Sequence, residues 1–210
     1  AAAVTILGVR LNREKQLQVL DAIDRIKSIS HACANANEHP PCQQIITVNP
    51  EFVMTAQRNA LFRQCINQAA LVVADGIGIV LAARYLGKPV PERVTGVDTL
   101  IALAQRCAER GYRLFLLGAA PGIAEAAALR LQTLAPGLQI AGTYAGSPAE
   151  AEEAEILERI RVAQTDVLCV AYGAPAQDLW IQRNLERLPA SVAMGVGGSF
   201  DFLAGKQQRA

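Results

Sequence analysis

Short β-branched runs bounded by polar or glycine residues alternate along this chain with longer stretches of helical periodicity. The runs predict strands over 4–9, 44–48, 71–74, 113–117, 138–142, 167–171 and 192–196, and strands alternating with crossover helices predict a largely parallel sheet. Asn12 can cap a helix reaching Ile29, in which Leu17, Leu20, Ile23 and Ile26 recur at helical spacing as a buried stripe. Pro50, Pro121, Pro148 and Pro175 each stand where a helix could begin after a strand and turn, a position that needs no backbone donor. The Glu-rich segment 149–161 reads as a solvated helix face, and 31–41 as a polar surface loop.

These elements predict an α/β fold: one Rossmann-like domain over 1–210, with a mostly parallel sheet and helices on both faces. A chain of 210 residues suits one core, and 51% hydrophobic against 19% charged residues fits close packing. Open sheets of this kind bind ligands beyond the carboxyl ends of their strands, so informative residues are expected there. A net charge of +1 carries no clustered excess of Lys and Arg, which makes nucleic acid an unexpected partner. The five cysteines are scattered without a CxxC pair or matched histidines, and read as buried thiols in a reducing compartment. The amino terminus lacks the basic and apolar blocks of a secretory signal, which makes the cytoplasm the default location. The longest apolar stretch, 69–86, is broken by Asp75 and Gly76 and carries Arg84, so it reads as strand, turn and helix rather than a bilayer span.

The unusual residues do follow predicted strands: Thr47 and Asn49, then Asp75, then Gly118, then 172–177 and 195–201. Taken locally, Asp75-Gly76 is a turn or cap before it is a carboxylate base, and Asn49-Pro50 is a helix start. Arg93, in a loop, is a surface charge unless it faces a crevice, where its planar donors could neutralise a phosphate. Gly118 to Gly122 runs from strand into helix, so its backbone donors could face a diphosphate. The phosphate loop GxxxxGK[ST] and the dinucleotide fingerprint GxGxxG are both absent, which disfavours kinase and nicotinamide-dependent readings. No Asp-x-Asp pair is present to hold a divalent metal, and no cofactor is indicated. His31 and His39 read as surface residues.

As an ordered series, Thr47-Val48-Asn49, Ala74-Asp75-Gly76, Arg93-Val94-Thr95-Gly96-Val97-Asp98, Leu117-Gly118, Gly173-Ala174-Pro175-Ala176-Gln177 and the run from Gly195 to Gly205 resemble the WecG/TagA/CpsF family of bacterial glycosyltransferases. The likeness runs from about Thr47 to the end. It implies inverting transfer of a sugar from a UDP-sugar donor, with N-acetylmannosamine as one candidate sugar, to a sugar on a polyprenyl diphosphate during cell-surface polysaccharide or teichoic acid synthesis. Asp75 would be the general base, and because aspartate with a pKa of about 3.9 is a weak base, proton transfer must be concerted with attack. Thr47, Asn49, Arg93 and Gln177 would surround the reacting sugars and phosphates, and Asp201 would lie near the nucleotide. Gly118, Gly195, Gly197 and Gly198 would permit close backbone approach. The chain departs from the family pattern at Asp178, where a glutamate is usual.

Family members continue past Arg209-Ala210 into a basic tail that associates with the membrane, and the expectation is that this appendage is missing here. A full-length version would sit peripherally at the inner face of the plasma membrane, and apolar helix faces left uncovered could support self-association. Two other readings stay open: a noncatalytic UDP-sugar-binding or assembly module, and a relative that transfers glucose or another hexose.

Overall fold

The computed structural model describes residues 3–35, 40–91 and 96–206. In chain order the elements are β1 (Ala3–Ile6), β2 (Val9–Asn12), α1 (Gln16–Asn35), β3 (Gln43–Val48), α2 (Pro50–Arg58), α3 (Ala60–Gln68), β4 (Leu71–Ala74) and α4 (Ile77–Tyr85). There follow α5 (Gly96–Arg110), β5 (Arg113–Gly118), α6 (Ile123–Leu134), β6 (Gln139–Tyr144), α7 (Glu153–Val162), β7 (Val167–Ala171), α8 (Ala176–Asn184), β8 (Val192–Gly195) and α9 (Ser199–Leu203).

Six of the strands form one parallel sheet in the order β4-β3-β8-β7-β5-β6. Strands β4, β7 and β8 are buried at every residue, as expected where helices cover both faces of a parallel sheet. Ile45, Val73, Leu116 and Met194 point into a core closed by α1, α5, α6 and α9. On the opposite face, Ile46 and Val72 meet α2, α3 and α4, while Phe115, Leu168 and Ala193 meet α7 and α8. The α/β architecture read from the sequence is therefore the one observed. Because β3 and β8 lie side by side in the sheet and are followed by helices on opposite faces, α2 and α9, the crevice of the open sheet falls at their carboxyl ends.

The amino-terminal expectation needs correction. The segment 4–9 is not a strand of the main sheet: Leu7 and Gly8 both have positive φ, 46° and 78°, and turn the chain back into an antiparallel hairpin of β1 and β2. Val4, Ile6, Val9 and Leu11 are buried, so the hairpin has one apolar face. It covers the outer edge of β4, where Asn12 Oδ1 accepts from Val72 N–H at 2.9 Å and Arg10 Nη2 donates to the Ala69 carbonyl at 2.6 Å. Asn12 is thus spent on an edge strand that would otherwise leave its ladder groups unpaired, and does not cap α1.

The helix register also shifts. Val19, Leu20 and Ile23 are buried, but Leu17 is 61% exposed, and α1 continues through His31 to Asn35 instead of ending near Ile29. In the Glu-rich segment, Glu153 is not solvated: it is buried against Arg183 and Arg187 of α8 and its trailing turn. Cys42, Cys65, Cys107 and Cys169 are buried and Cys33 half-buried; burial pushes the Cys42, Cys65 and Cys107 thiols up to about 12, which leaves them inert at neutral pH. Among the described residues, no helix is long and apolar enough to cross a membrane.

Candidate active site

Strands β3 and β4 end in register, with Val48 opposite Ala74, so the residues that follow them emerge side by side. Asp75 N–H donates to the Val48 carbonyl at 2.7 Å, which continues the ladder one step and sets the half-buried Asp75 next to Asn49. Asn49 caps α2: its Oδ1 accepts from Phe52 N–H at 2.9 Å, and Pro50 occupies the first helical position. The structural role foreseen for Asn49 is therefore real, and it uses only the side-chain oxygen, leaving the Nδ2 donor. Thr47 is buried at the end of β3. A Cβ on Gly96, the first residue of α5, would lie 4.0 Å from Thr47 Oγ1, 3.3 Å from Ser199 Oγ and 3.8 Å from the Val196 carbonyl. The absence of a side chain at Gly96 lets α5 begin directly over the ends of β3 and β8.

The end of β8 is held from below by α8. Gln177 is buried, and its Oε1 accepts from Gly197 N–H at 3.0 Å. A Cβ on Gly195 would lie 2.5 Å from Gln177 Nε2 and 2.7 Å from Asp178 Oδ1, so any side chain here would push those two groups aside. Gly197 has φ +52° and open space where a Cβ would be, and Gly198 precedes α9 with an ordinary φ of −73°. Ser199 Oγ donates to the Val196 carbonyl at 2.6 Å, closing the turn. The glycines thus divide by job: Gly195 makes room for protein side chains, while Gly197 faces the crevice with its amide fixed by Gln177.

Asp178 is buried beside Gln177, and neither carboxylate oxygen has a well-formed hydrogen bond. Burial pushes its pKa up from 3.8 to about 7, with the Gln177 amide opposing that rise only in part. Its backbone carbonyl accepts from Gln44 Nε2 at 3.0 Å and from Cys65 Sγ at 3.4 Å, which ties α8 to β3 and α3.

Gly118 sits apart from Asp75. Strands β5 and β4 are four steps apart in the sheet order, roughly 19 Å at the usual strand spacing. Its close approach is to a neighbouring strand: a Cβ there would fall 2.8 Å from the Ala171 carbonyl carbon and oxygen. Ala119 N–H donates to Ala171 O at 2.9 Å, so this donor of the strand-to-helix turn is committed to the protein. Asp201 is half-buried on α9, whose Phe200 and Leu203 anchor it in the core. Arg93 lies outside the described residues. The sheet therefore gathers Thr47, Asn49, Asp75, Gln177 and the 195–198 turn at the ends of β4, β3 and β8, with Gly118 farther along the same edge. Ser199, Asp178 and Gly96 complete the packing. Polar residues at otherwise apolar positions, such as Gln177-Asp178 ahead of Leu179-Trp180-Ile181, are the signal that marks such supports.

Comparison with known proteins adds a family to this geometry. Residues 4–210 match the model of the "Glycosyl transferase WecG/TagA/CpsF family". The chain is 32% identical over 209 residues to proteins of Staphylococcus aureus strains NCTC 8325 / PS 47 and COL, each named N-acetylglucosaminyldiphosphoundecaprenol N-acetyl-beta-D-mannosaminyltransferase. The alignment covers 100% of this chain and 78% of each relative.

Proposed function

We propose a reaction on one premise: the chain belongs to the WecG/TagA/CpsF family of glycosyltransferases. In that reaction N-acetylmannosamine passes from UDP to a hydroxyl of N-acetylglucosamine carried on a polyprenyl diphosphate, in the assembly of a cell-surface polysaccharide or teichoic acid. The observation that carries this reading is the convergence of Asp75, Asn49, Thr47 and the Gly197 turn at the carboxyl ends of adjacent strands, where an open α/β sheet binds its ligands.

Asp75 takes the proton of the acceptor hydroxyl while that oxygen bonds to the anomeric carbon. The bond from that carbon to the diphosphate oxygen breaks on the opposite side, and its electron pair leaves with UDP. Attack opposite the leaving group inverts the anomeric centre, which agrees with a β-linked product from an α-linked UDP-sugar. Asn49, through Nδ2, and Thr47 orient the sugars, and Arg93 meets phosphate charge as it develops. Gln177, buried, acts through Gly197: it aims a backbone turn at the substrate and does not touch it. Asp201 lies toward the nucleotide. The enzyme works at the inner face of the plasma membrane, where the lipid-linked acceptor resides.

The test is transfer from a panel of UDP-sugars to a polyprenyl-diphosphate N-acetylglucosamine acceptor, with the product anomer read by NMR. Asp75→Asn should lower turnover by about 10²–10⁴-fold, the usual share of a general base, and retain UDP binding. Near-normal turnover by that variant would remove the base assignment, and a product of retained configuration would remove the single-displacement mechanism.

A further inference from the structure

Asp178 stands in the first turn of α8 with 1% of its surface exposed, and among the described residues neither carboxylate oxygen has a well-formed hydrogen bond. A buried carboxylate so poorly paired costs stability once it is ionised. The usual reason for an acid at a helix start does not account for it. An acid at the third helical position reaches back to the N–H of the capping residue, and the capping residue of α8 is Pro175, which has none. Attraction to the positive end of the helix remains, but burial outweighs it, since the pKa of Asp178 rises to about 7 instead of falling.

What Asp178 faces is the amide of Gln177. Gln177 Nε2 and Asp178 Oδ1 lie 2.5 Å and 2.7 Å from the place a Cβ of Gly195 would take, so nitrogen and oxygen share one small space beneath the end of β8. Burial raises the Asp178 pKa, and a loose hydrogen bond from the Gln177 amide is the first of the effects that oppose it. Asp178 is also fixed in place, because its backbone carbonyl accepts from Gln44 Nε2 at 3.0 Å and from Cys65 Sγ at 3.4 Å. The two ends of a carboxamide have nearly the same shape and opposite hydrogen-bonding character. Gly197 N–H needs the oxygen end, which accepts from it at 3.0 Å; turned by half a rotation, Gln177 would set its own donors against that N–H. Shape does not separate the two orientations. An ionised carboxylate does, because it only accepts: it draws Nε2 to itself and leaves Oε1 for Gly197.

We infer that Asp178 is a positioning residue: it selects the orientation of the Gln177 amide and, through Gln177, fixes the Gly197 turn that faces the crevice. Buried beneath that turn, it touches no substrate itself. Its effect on turnover rests on the proposed glycosyl transfer, whereas the chain of contacts from Asp178 through Gln177 to Gly197 can be read without any substrate.

Amide hydrogen exchange at Gly197, followed by NMR in the 210-residue protein, is the direct test. Asp178→Ala removes the acceptor and should speed exchange at Gly197 about tenfold or more, as Gln177→Ala does. Asp178→Leu, closer in size and also without an acceptor, should do the same, which guards against a folding defect peculiar to alanine. Asp178→Asn can still accept through Oδ1 and should hold exchange within about threefold of wild type. In the transfer assay Asp178→Ala should lower kcat about tenfold with a smaller change in the KM for UDP-sugar, and Asp178→Asn should keep most of the rate. Added to Gln177→Ala, Asp178→Ala should lower kcat no further, because it acts only through that side chain. Unchanged exchange at Gly197 in both the alanine and leucine variants would overturn the inference, as would a loss of kcat that adds in full to that of Gln177→Ala. A lower melting temperature with unaltered exchange would leave Asp178 a purely structural part of α8 and overturn it equally. Exchange that responds as expected while wild type transfers sugar to no acceptor would support the contact chain and count against the proposed reaction instead.

Discussion

Gln177 Oε1 accepts a hydrogen bond of 3.0 Å from the backbone N–H of Gly197, joining a buried helix residue to the turn that faces the crevice. The side chain and the loop come from elements 20 residues apart, and the bond lies beneath the site. Gln177→Ala leaves a part-buried N–H without its acceptor, at a cost of about 1–3 kcal/mol. The expected result is a fold that survives, with kcat lowered at least about tenfold by the misaimed turn and a smaller change in the KM for UDP-sugar. Steady-state kinetics on folded protein checks this, and unchanged kcat would remove the positioning role.

Gly118 and Gly195 are both closed to a side chain, but against different neighbours. Gly118→Ala drives a Cβ into the Ala171 backbone at 2.8 Å and forces alanine to φ +102°, neither of which can relax without separating β5 from β7. A loss of about 2 kcal/mol or more in chemical denaturation is expected. Gly195→Ala meets the movable side chains of Gln177 and Asp178 instead. It should cost activity before stability, because Gln177 can give way only by releasing Gly197. An equal loss of stability in both variants would argue against that distinction.

Asp178 makes stability depend on pH in an unusual direction. Burial raises its pKa from 3.8 to about 7, so between those values the folded state holds a proton that the unfolded state has released. Stability should therefore fall as pH rises from about 4 to about 7, by at most about 1.4 kcal/mol per pH unit, and level off above. Asp178→Asn copies the neutral acid and removes this slope. Its melting temperature should match wild type near pH 4 and exceed it at pH 7.5; the same difference at both pH values would refute the burial account.

Glu153 works the opposite way. Burial pushes its carboxyl up, but the hydrogen bond from Arg183, with further support from Asn184 and Arg187, outweighs this and holds it below its ordinary 4.5. A depressed folded pKa contributes stability that is present above the unfolded value and is lost as pH falls through the folded one. Glu153→Gln breaks the tie between α7 and α8 and should cost about 1–3 kcal/mol at pH 7. The deficit should shrink as pH falls below 4.5 in urea titrations, and a deficit independent of pH would mean that packing rather than charge is lost.

Much of this was legible in the chain itself, and the misses share a cause. Strands 44–48, 71–74, 113–117, 167–171 and 192–196 were readable because fully buried parallel strands are continuous apolar runs. The hairpin was not, because 4–9 contains only Leu7-Gly8 as a turn signal, and a short alternating run looks the same whether it joins the main sheet or covers its edge. Leu17 reads as a core residue because one helical stripe admits more than one angular choice, and packing against α5 selects Val19, Leu20 and Ile23. Thr47, Asn49 and Asp75 stand out in the sequence because they follow predicted strands, and the register of β3 and β4 brings them together. That Gln177 lies beneath Gly197, and that Gly118 meets Ala171, depends on which strands become neighbours, which local sequence does not encode.

The sequence by itself determined the α/β class, the strands of the parallel sheet, the family and the residues at the strand ends, because periodicity and ordered motifs are local properties of a chain. Only the tertiary structure decided the strand order, the division of the glycines between packing and crevice, the burial of Asp178 and Glu153, and the exposure of the apolar side of α4 beside Asp75. Those depend on contacts between segments distant in sequence, where the free energy of burying a group is set by what the fold brings against it. Ile77, Leu81 and Tyr85 are apolar by sequence, and it is the packing of the described residues that leaves them exposed.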